Sequence, residues 1–461
     1  MERSSAAPPA LQRCAIALAI FAATLTVRVW GISAHFPLQG DQIRDWDIVL
    51  GSFSSLPLIG PPTHVHGYTL GPAFYWIMWL LRVSFGPWYD NLPHAGGIGQ
   101  AVLQSGADAL LGLAVWYRVR SMWIALTTVV LLATASFDLS LSAVVWNPVV
   151  GSLLARAATA LVIFDWPRQS PARVALTTLI AWSAVHAYTG AIFVVLGVLA
   201  ALVLEPLLRQ DRRAAWQNAL LIAGVVALLQ VPLAVHQLSS GFADNAMGAV
   251  TGSVGEILLG RERPHLVVSA TGYANAFTFI EASPWSGVAF QALLAVCAAS
   301  VFVRYRRDPV LLAVILVPQA LAILGYAFWL SGLDHYYYLS LMPASVLTVL
   351  LGVTAYLPSG AARIAGVVLL AGALAIVPAR LRFAALMNRM PEYGTLVAAS
   401  RELVKVKQPI RAIRTEFPLL PTADPEFMYR ILGGRLDPAS MSMALVARDG
   451  RVTFRQLGAP R

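Results

Sequence analysis

Long apolar stretches run through most of this chain, and they restrict its fold more than any other feature. An α-helix needs about 20 consecutive apolar residues to cross the hydrocarbon core of a bilayer. Such stretches are predicted at residues 11–30, 95–117, 122–142, 148–165, 173–187, 188–207, 214–237, 285–303, 309–330, 338–356 and 362–378. Only 12% of the residues are charged, whereas soluble domains have about 25%. The sequence therefore predicts an all-α polytopic membrane protein with about 11 transmembrane helices.

The positions of the arginines predict how these helices are oriented. Loops on the cytoplasmic side of a membrane carry an excess of Lys and Arg. With a cytoplasmic N-terminus, the inner loops would hold the clusters around Arg118, Arg209 and Arg304, and the short outer connections would hold none. We therefore expect a multi-pass protein of the plasma (inner) membrane with an extracytoplasmic C-terminus. These loops and a basic tail account for the net charge of +10, so no nucleic-acid partner is expected.

The apolar stretch at residues 69–88 is the one whose placement is ambiguous. If it crossed the membrane, every later loop would be inverted and the arginine clusters would lie outside. Arg82 in its middle and Pro72 near its start also fit poorly with a helix surrounded by lipid. We expect a juxtamembrane helix on the outer face, within the first long loop.

The sequence changes character after residue 378, which predicts two domains. Residues 1–378 would form the transmembrane domain, and residues 379–461 a small extracytoplasmic one. Asp424-Pro425 is typical of a helix start and Gly433-Gly434 of a helix end. Alternating residues on either side of Asp449-Gly450 are typical of a hairpin. We therefore expect a small α/β C-terminal region.

Several ionisable residues fall inside predicted spans, among them Asp108, Arg156 and Arg28. Asp108 and Arg156 lie near the centres of their spans, where an unpaired charge is costly, and we expect them to pair. Arg28 lies near the end of the first span, and its guanidinium is expected to extend to the outer interface. Cys14 and Cys297 also lie in apolar spans, so neither a disulfide nor a metal site is predicted from them.

The first outer loop begins with three carboxylates and an arginine beside the membrane, in the sequence Gly40-Asp41-Gln42-Ile43-Arg44-Asp45-Trp46-Asp47. A carboxylate in this position can act as general base towards an acceptor hydroxyl or amine. Asp41 and Asp45 are the candidate catalytic residues, and Gln42 and Arg44 are candidate substrate contacts. A solvated loop containing an Arg–Asp pair is the alternative interpretation.

Other polar residues in the predicted outer loops are further candidate substrate contacts. They are His64, His66 and Tyr68 in a Pro/Gly-rich segment, Asn147 at a helix start, His186 and Tyr188 at a tight turn, Arg261 and Arg263 in the second long loop, and Asp334, His335 and Tyr336 before the tenth span. Each of these residues also has an interpretation in which its role is structural. A His-x-His pair alone is a weak metal signal, and Asn before Pro suits a helix cap. Tyrosines are common at membrane interfaces, and an arginine cluster can be an exposed salt-bridged loop.

Several segments, taken in order, resemble the bacterial branch of the GT-C membrane glycosyltransferases, the relatives of protein O-mannosyltransferases (glycosyltransferase family 39) and aminoarabinose transferases. They are Gly40-Asp41-Gln42-Ile43-Arg44-Asp45, Pro57-Leu58-Ile59-Gly60-Pro61, Gly71-Pro72-Ala73-Phe74-Tyr75-Trp76, Phe85-Gly86-Pro87, Trp146-Asn147-Pro148, the turn at His186, and His335-Tyr336 with Pro343. The resemblance covers residues 11–345.

This resemblance implies a reaction. Enzymes of this branch transfer a sugar from a polyprenyl-phosphate donor to an acceptor outside the cytoplasm, usually with inversion. The implied enzyme is a hexosyl- or pentosyltransferase surrounded by membrane lipid, and its acceptor would be a glycan, a lipid or a protein. Asp41 would be the acceptor-side base, and Arg261, Arg263 or His335 would contact the phosphate. Many relatives have an Asp-Glu pair where this chain has Gln42, so no cofactor is expected, with a divalent cation as the open alternative.

Two other functions remain open at this stage. An O-antigen-type polysaccharide polymerase or ligase would use a polyprenyl-diphosphate-linked glycan and would depend on Arg261 and Arg263. A non-enzymatic transporter of lipid-linked sugars would need polar residues and broken helices at mid-membrane, often in repeated halves. The polarity of this sequence is instead concentrated in the predicted outer loops.

Overall fold

The computed structural model of the 461-residue chain describes residues 10–30, 38, 40–62, 68–89, 91–164, 170–243, 248–278, 284–330, 334–387, 391–416 and 424–457. The α-helices are α1 (Ala10–Trp30), α2 (Gly40–Val49), α3 (Ala73–Phe85), α4 (Leu92–Val119), α5 (Met122–Ala133), α6 (Ser136–Ser140), α7 (Asn147–Ile163), α8 (Pro171–Ala187), α9 (Ile192–Leu208), α10 (Arg212–Ser239), α11 (Gly248–Leu258), α12 (Leu266–Thr278), α13 (Pro284–Tyr305), α14 (Pro309–Ala327), α15 (Met342–Thr354), α16 (Ser359–Met387), α17 (Pro391–Val406) and α18 (Pro425–Ile431). The strands are β1 (Ala412–Thr415), β2 (Ser442–Val446) and β3 (Val452–Gln456), and 3₁₀ turns cover Phe53–Ser55, Gly86–Trp88, Thr189–Ala191 and His335–Leu341.

The helices form the predicted all-α polytopic bundle. Within the described residues, seven helical segments are long and apolar enough to cross a membrane, and they belong to α1, α4, α9, α10, α14, α15 and α16. Three further apolar helices, α5, α7 and the described part of α13, are shorter. Each of the eleven predicted spans contains one of these helices or α8, which confirms the fold class.

The ambiguous stretch at residues 69–88 contains a short helix, α3. Its 13 residues extend over about 20 Å, less than the roughly 30 Å of a bilayer core. One side of the helix is buried, at Phe74, Tyr75, Met78 and Leu81. This length and burial agree with a helix packed on the bundle instead of one that crosses it.

Successive long helices run in opposite directions, so their connections gather at two ends of the bundle. The basic end carries the arginine clusters, and there Arg118 forms an ion pair with Asp308, with 2.6 Å between Nη2 and Oδ1. The other end, called the site end below, carries α2, α3, the start of α7, the turn between α8 and α9, and the 3₁₀ segment before α15. The arginines that predicted the orientation therefore lie opposite the Asp41 helix.

Four charged side chains form a buried ionic cluster inside the bundle. Arg28 Nη2 lies 2.6 Å from Asp108 Oδ2 and 2.9 Å from Asp138 Oδ2. Arg156 pairs with Asp108 through Nη1, and its Nη2 lies 3.3 Å from Asp138 Oδ2. The predicted Asp108–Arg156 pair is confirmed. The prediction that Arg28 extends to the interface is wrong, because two buried carboxylates stabilise its guanidinium inside the bundle.

The span predicted at residues 122–142 is not one continuous helix. α5 ends at Ala133, the five-residue α6 follows, and the backbone is then irregular as far as α7. Gln100 of α4 supports this segment, since its Nε2 donates to the carbonyl oxygens of Ser142 and Val144 at 3.0 and 2.8 Å. Irregular backbone inside a membrane bundle requires such partners, because the bilayer core supplies no water.

Gly97 allows α4 to approach this irregular segment closely. A Cβ atom at Gly97 would lie 2.4 Å from the carbonyl oxygen of Ala143, so the backbone of one segment would have to move. We expect Gly97→Ala to cost about 1–3 kcal/mol of stability. Gly106→Ala in the same helix is the control, because a Cβ there meets nothing within 4 Å. Thermal unfolding should occur at lower temperature for Gly97→Ala only, and equal midpoints would contradict this packing.

The C-terminal region is a small α/β unit, as predicted. β2 pairs with β3 in an antiparallel hairpin through the turn containing Gly450, whose φ is +85°, and β1 pairs with β2 in parallel. Asp424 caps α18 by accepting a hydrogen bond from the Glu426 amide at 2.8 Å. The sequence did not predict β1 or α17. α16 continues past residue 378 to Met387, so the predicted domain boundary falls inside a helix.

Candidate active site

α2 presents the residues of the first-loop motif on a short amphipathic helix. Its buried residues are Gln42, Asp45, Trp46 and Val49, whose spacing places them on one face. Trp46 packs against α4 at a glycine, since a Cβ on Gly96 would lie 2.4 Å from the indole ring. A helix of ten residues is marginal alone. Its position therefore depends on these tertiary contacts.

Arg44 connects the two candidate catalytic carboxylates. Its Nη1 lies 3.1 Å from Asp41 Oδ1, and its Nε and Nη2 each lie 2.8 Å from Asp45 Oδ1. The side chain of Asp41 is 39% exposed, whereas that of Asp45 is 1% exposed. Asp41 can therefore meet a substrate, while Asp45 supports Arg44 from the interior.

The environment of Asp45 shifts its protonation equilibrium. Burial raises the pKa of Asp45 to about 6, against the opposing effect of the Arg44 charge. Tyr75 Oη donates to Asp45 Oδ1 at 3.2 Å, and Oδ2 is buried without a hydrogen-bond partner in the described part of the chain. Burial lowers the pKa of Arg44, but the charge and hydrogen bond of Asp45, together with Tyr75 and Asp41, outweigh this, and the net pKa is raised. Arg44 therefore remains cationic.

An arginine of α3 holds the other end of α2. Arg82 Nη1 donates to the carbonyl oxygens of Val49 and Gly51 at 2.6 and 2.7 Å, where the helix ends. A cation at this position also interacts favourably with the helix dipole. The lone arginine in an apolar helix was the only sequence signal for this contact, and no sequence pattern indicated the contact of Tyr75 with Asp45.

Aromatic rings form the part of the site opposite α2. The ring of Tyr336 lies 4.8 Å from that of Trp146, stacks on Tyr337 at 4.8 Å, and lies 6.5 Å from Tyr188. These residues come from the 3₁₀ segment before α15, the start of α7 and the end of α8. Asp41 lies close enough to this cluster for its charge to act on the Tyr336 phenol. Trp146 was part of a sequence motif, but it was not among the predicted substrate contacts.

Two of the predicted substrate contacts, His186 and Asn147, lie in surroundings that differ from the prediction. His186 is fully buried, with Nε2 3.2 Å from Gln230 Oε1, and it packs against Gly71 so closely that a Cβ there would lie 2.3 Å from Nδ1. Asn147 is the first residue of α7 and partly exposed. It is not the predicted cap, because Trp146 holds that position without a side-chain hydrogen bond.

The remaining predicted contacts lie at the edges of the site end. Arg261 forms an exposed ion pair with Glu256 of its own loop, with 3.0 Å between Nη1 and Oε1, and Arg263 is exposed. Asp334 and His335 are exposed at the start of the 3₁₀ segment. Two predicted histidines, at positions 64 and 66, lie outside the described residues.

Neighbouring backbone of the first loop is ordered by strand-like pairing. Tyr68 forms an isolated antiparallel bridge with Pro62, and the amide of Thr69 donates to the carbonyl oxygen of Pro61 at 3.0 Å. Among the described residues, no group of three or more His, Cys, Asp or Glu side chains could hold a metal ion. The site thus consists of a carboxylate–guanidinium cluster facing an aromatic surface.

This arrangement of helices is also found in two solved structures, and the likeness confirms the polytopic helical fold that the sequence predicted. The crystal structure of ArnT from Cupriavidus metallidurans bound to undecaprenyl phosphate matches 90% of this chain and 84% of that chain, with a TM-score of 0.51 and 14% identity. ArnT in the apo state matches 91% of this chain and 84% of that chain, with a TM-score of 0.51 and 13% identity. No family model and no curated protein matches the sequence.

Proposed function

We propose that this protein transfers a sugar from a polyprenyl monophosphate carrier to an acceptor at the site end of the bundle. The observation that carries this proposal is the Asp41–Arg44–Asp45 cluster, held on a short helix at the end of a GT-C-type bundle, with Asp41 near the ring of Tyr336. A partly exposed carboxylate beside a partly exposed arginine suits transfer to a hydroxyl or amine.

The reaction follows from the position of each group. Arg44 holds Oδ1 of Asp41, and Oδ2 is left to take the proton of the acceptor. The acceptor atom attacks the anomeric carbon, the bond from that carbon to the phosphate oxygen breaks, and polyprenyl phosphate leaves. One displacement inverts the anomeric centre. Asp45, which accepts a hydrogen bond from Tyr75, holds Arg44 in place. The positive charge of Arg44 also stabilises the negative charge that develops on the leaving phosphate.

The aromatic surface supplies a complementary contact for the sugar. Trp146 and Tyr336 are partly exposed, and their rings lie 4.8 Å apart beside the carboxylate helix. Flat rings pack against the apolar C–H faces of a pyranose or furanose. The undecaprenyl phosphate bound in the ArnT crystal structure supports a polyprenyl-phosphate carrier for this chain also.

The site end is proposed to face the extracytoplasmic side of the plasma (inner) membrane. Its opposite end carries the arginine clusters that the positive-inside rule assigns to the cytoplasm. The N-terminus is then cytoplasmic and the C-terminal region extracytoplasmic. The acceptor would be a glycan, a lipid or a protein, and the reaction as written needs no cofactor.

A transporter of lipid-linked sugars is the second candidate function. The broken helix between α5 and α7, beside the four buried charges, is a feature that transporters use. However, the four charges balance one another and are fully buried, so they offer little to a moving substrate. The polymerase alternative loses support because Arg261 is paired within its own exposed loop.

A donor panel tests the proposed function. The purified full chain in nanodiscs would be given sugars on undecaprenyl monophosphate and on undecaprenyl diphosphate, and the released carrier would be measured. Release of undecaprenyl phosphate from a monophosphate donor is the expected result. Release from diphosphate donors alone would favour a polymerase or ligase. Movement of labelled donor across proteoliposomes with no covalent product would favour a transporter.

The transfer rate is expected to fall on the acidic side with an apparent pKa near 6. Asp45 has a raised pKa of about 6, so it takes up a proton below that pH and its ion pair with Arg44 weakens. Because the native pKa exceeds the ordinary value, the ionised carboxylate costs folding free energy, and acidification from about pH 6 towards 4 relieves this cost. Activity should thus fall in this pH range without a loss of stability from this residue.

The pH dependence of kcat/KM for wild type and Asp45→Asn checks this assignment. Asp45→Asn should lack the acidic limb, because the amide does not titrate. Asp449→Asn in the exposed Asp-Gly turn is the matched control and should retain it. An unchanged acidic limb in Asp45→Asn would assign the titration to another group.

A further inference from the structure

The C-terminal region shares a buried core with the carboxylate helix. One hydrophobic cluster contains Trp46 and Val49 of α2 together with Tyr393 of α17 and Phe427 and Met428 of α18. All five side chains are nearly or fully buried. The C-terminal sheet has a separate core of its own. α17 and α18 therefore contribute to both cores and lie between the sheet and the helices of the site.

Two polar contacts join the same elements. The side chains of Asn91 and Tyr393 are hydrogen-bonded, with Tyr393 Oη 2.8 Å from Nδ2 and 2.9 Å from Oδ1 of Asn91. Asn91 precedes α4 and also accepts from the His94 amide at 3.4 Å. This pair attaches α17 to the start of α4, on which Trp46 packs.

The second polar contact reaches α2 directly. Arg430 Nη2 of α18 lies 3.1 Å from Asp47 Oδ2. The guanidinium of Arg430 also lies over the ring of buried Phe427, with 6.0 Å to the centroid. Oδ1 of Asp47 is buried and has no hydrogen-bond partner in the described part of the chain. Among the described residues, the ion pair with Arg430 is thus the contact that holds the Asp47 carboxylate.

The contact between Arg430 and Asp47 affects the candidate base Asp41, because Asp47 and Asp41 belong to the same helix. Asp47 is six residues after Asp41 in one continuous helix, so the two are separated by about 9 Å along the axis. A tilt of α2 about its C-terminal half moves Asp41 relative to Tyr336. Displacement of a reacting group by about 1 Å can reduce a rate about 100-fold.

We propose that the C-terminal region is a positioning element of the active site, with Arg430 as the positioning residue that fixes the angle of α2 through Asp47. This role rests on the proposed function for its effect on catalysis, but the contact itself can be tested without turnover. Arg430 touches no reacting atom. It acts through α2, and it sets the distance between the Asp41 carboxylate and the sugar.

Hydrogen exchange of the full chain in nanodiscs tests the contact first. Arg430→Ala should speed exchange of the α2 amides, and the thermal unfolding midpoint should be nearly unchanged because partly exposed ion pairs contribute little. Arg414→Ala, an exposed arginine of β1, is the matched control. Asp47→Asn removes the same pair from the other side and should give the same exchange pattern. Unchanged α2 exchange in both Arg430→Ala and Asp47→Asn would overturn the proposal.

Kinetics then separate positioning from general stability. With an active donor, Arg430→Ala should lower kcat about 10-fold with little change in the donor KM. The charge swap Asp47→Arg with Arg430→Asp should restore much of the loss, and Arg430→Lys part of it. Equal kinetics for Arg430→Ala and Arg414→Ala would overturn the catalytic role. If wild type turns over no donor, the proposed function fails, whereas the exchange result still decides whether Arg430 holds α2.

Discussion

Asp41→Asn is expected to reduce sugar transfer by about 100-fold or more, the usual contribution of a general base. The amide keeps the size of the side chain, and its oxygen can still accept the hydrogen bond from Arg44 Nη1. It cannot take up the acceptor proton. The Arg44–Asp45 pair and the buried face of α2 remain as they are, so the variant should fold and bind the donor normally.

The donor-release assay checks this expectation, with binding of undecaprenyl phosphate measured on the same preparations. Asp449→Asn is the matched control, since it makes the same chemical change in an exposed turn. It should retain full activity. If Asp41→Asn transfers sugar at the wild-type rate, the proton is taken up by another group. If the variant loses donor binding, Asp41 is a recognition residue.

Asp108→Asn is expected to destabilise the protein by about 3–5 kcal/mol, the usual cost of breaking a buried ion pair. Asp108 receives ion pairs from both Arg28 and Arg156, and all three side chains are fully buried. Its removal leaves two guanidinium groups facing the single carboxylate of Asp138. A buried charge that has lost its partner is costly, because the bundle interior solvates it poorly.

The loss of stability is measured by equilibrium unfolding of the protein in detergent, and thermal melting is a second measurement. Glu402→Gln is the control, because Glu402 and Lys405 form an exposed pair that should contribute about 0–1 kcal/mol. The double variant Asp108→Asn with Arg156→Gln restores charge balance and should lose less stability than Asp108→Asn alone. Equal stability of wild type and Asp108→Asn would show that the buried charges do not depend on one another.

Features that depend on composition and local pattern could be predicted from the sequence. The apolar stretches predicted the helical spans, because the bilayer demands a fixed length of apolar helix. Arginine loops predicted that one end of the bundle is basic, and Asp424 and Gly450 predicted the local structure of the C-terminal region. The Asp41 motif predicted the carboxylate cluster, since its residues are neighbours in one short helix.

Features that depend on contacts distant in sequence could not be predicted. Asp138 lies in a stretch that reads as an ordinary apolar span, so its ion pair with Arg28, 110 residues away, left no sequence pattern. The same holds for Arg430 and Asp47, which are 383 residues apart. Burial of Arg28 was missed because one carboxylate partner, Asp108, had been paired with Arg156 alone. Charges inside membranes are compensated in groups, and the group forms only in the folded bundle.

In the proposed mechanism, the sugar end of a lipid donor is held between α2 and the aromatic segment before α15. A polyprenyl-phosphate sugar with a photoreactive group on the sugar, cross-linked to the full chain in nanodiscs, tests it most directly. Mass spectrometry of the labelled peptides should place the label on residues 40–49 and 334–341. A label confined to the loop that carries Arg261 and Arg263, or to helices at the basic end, would contradict the claim.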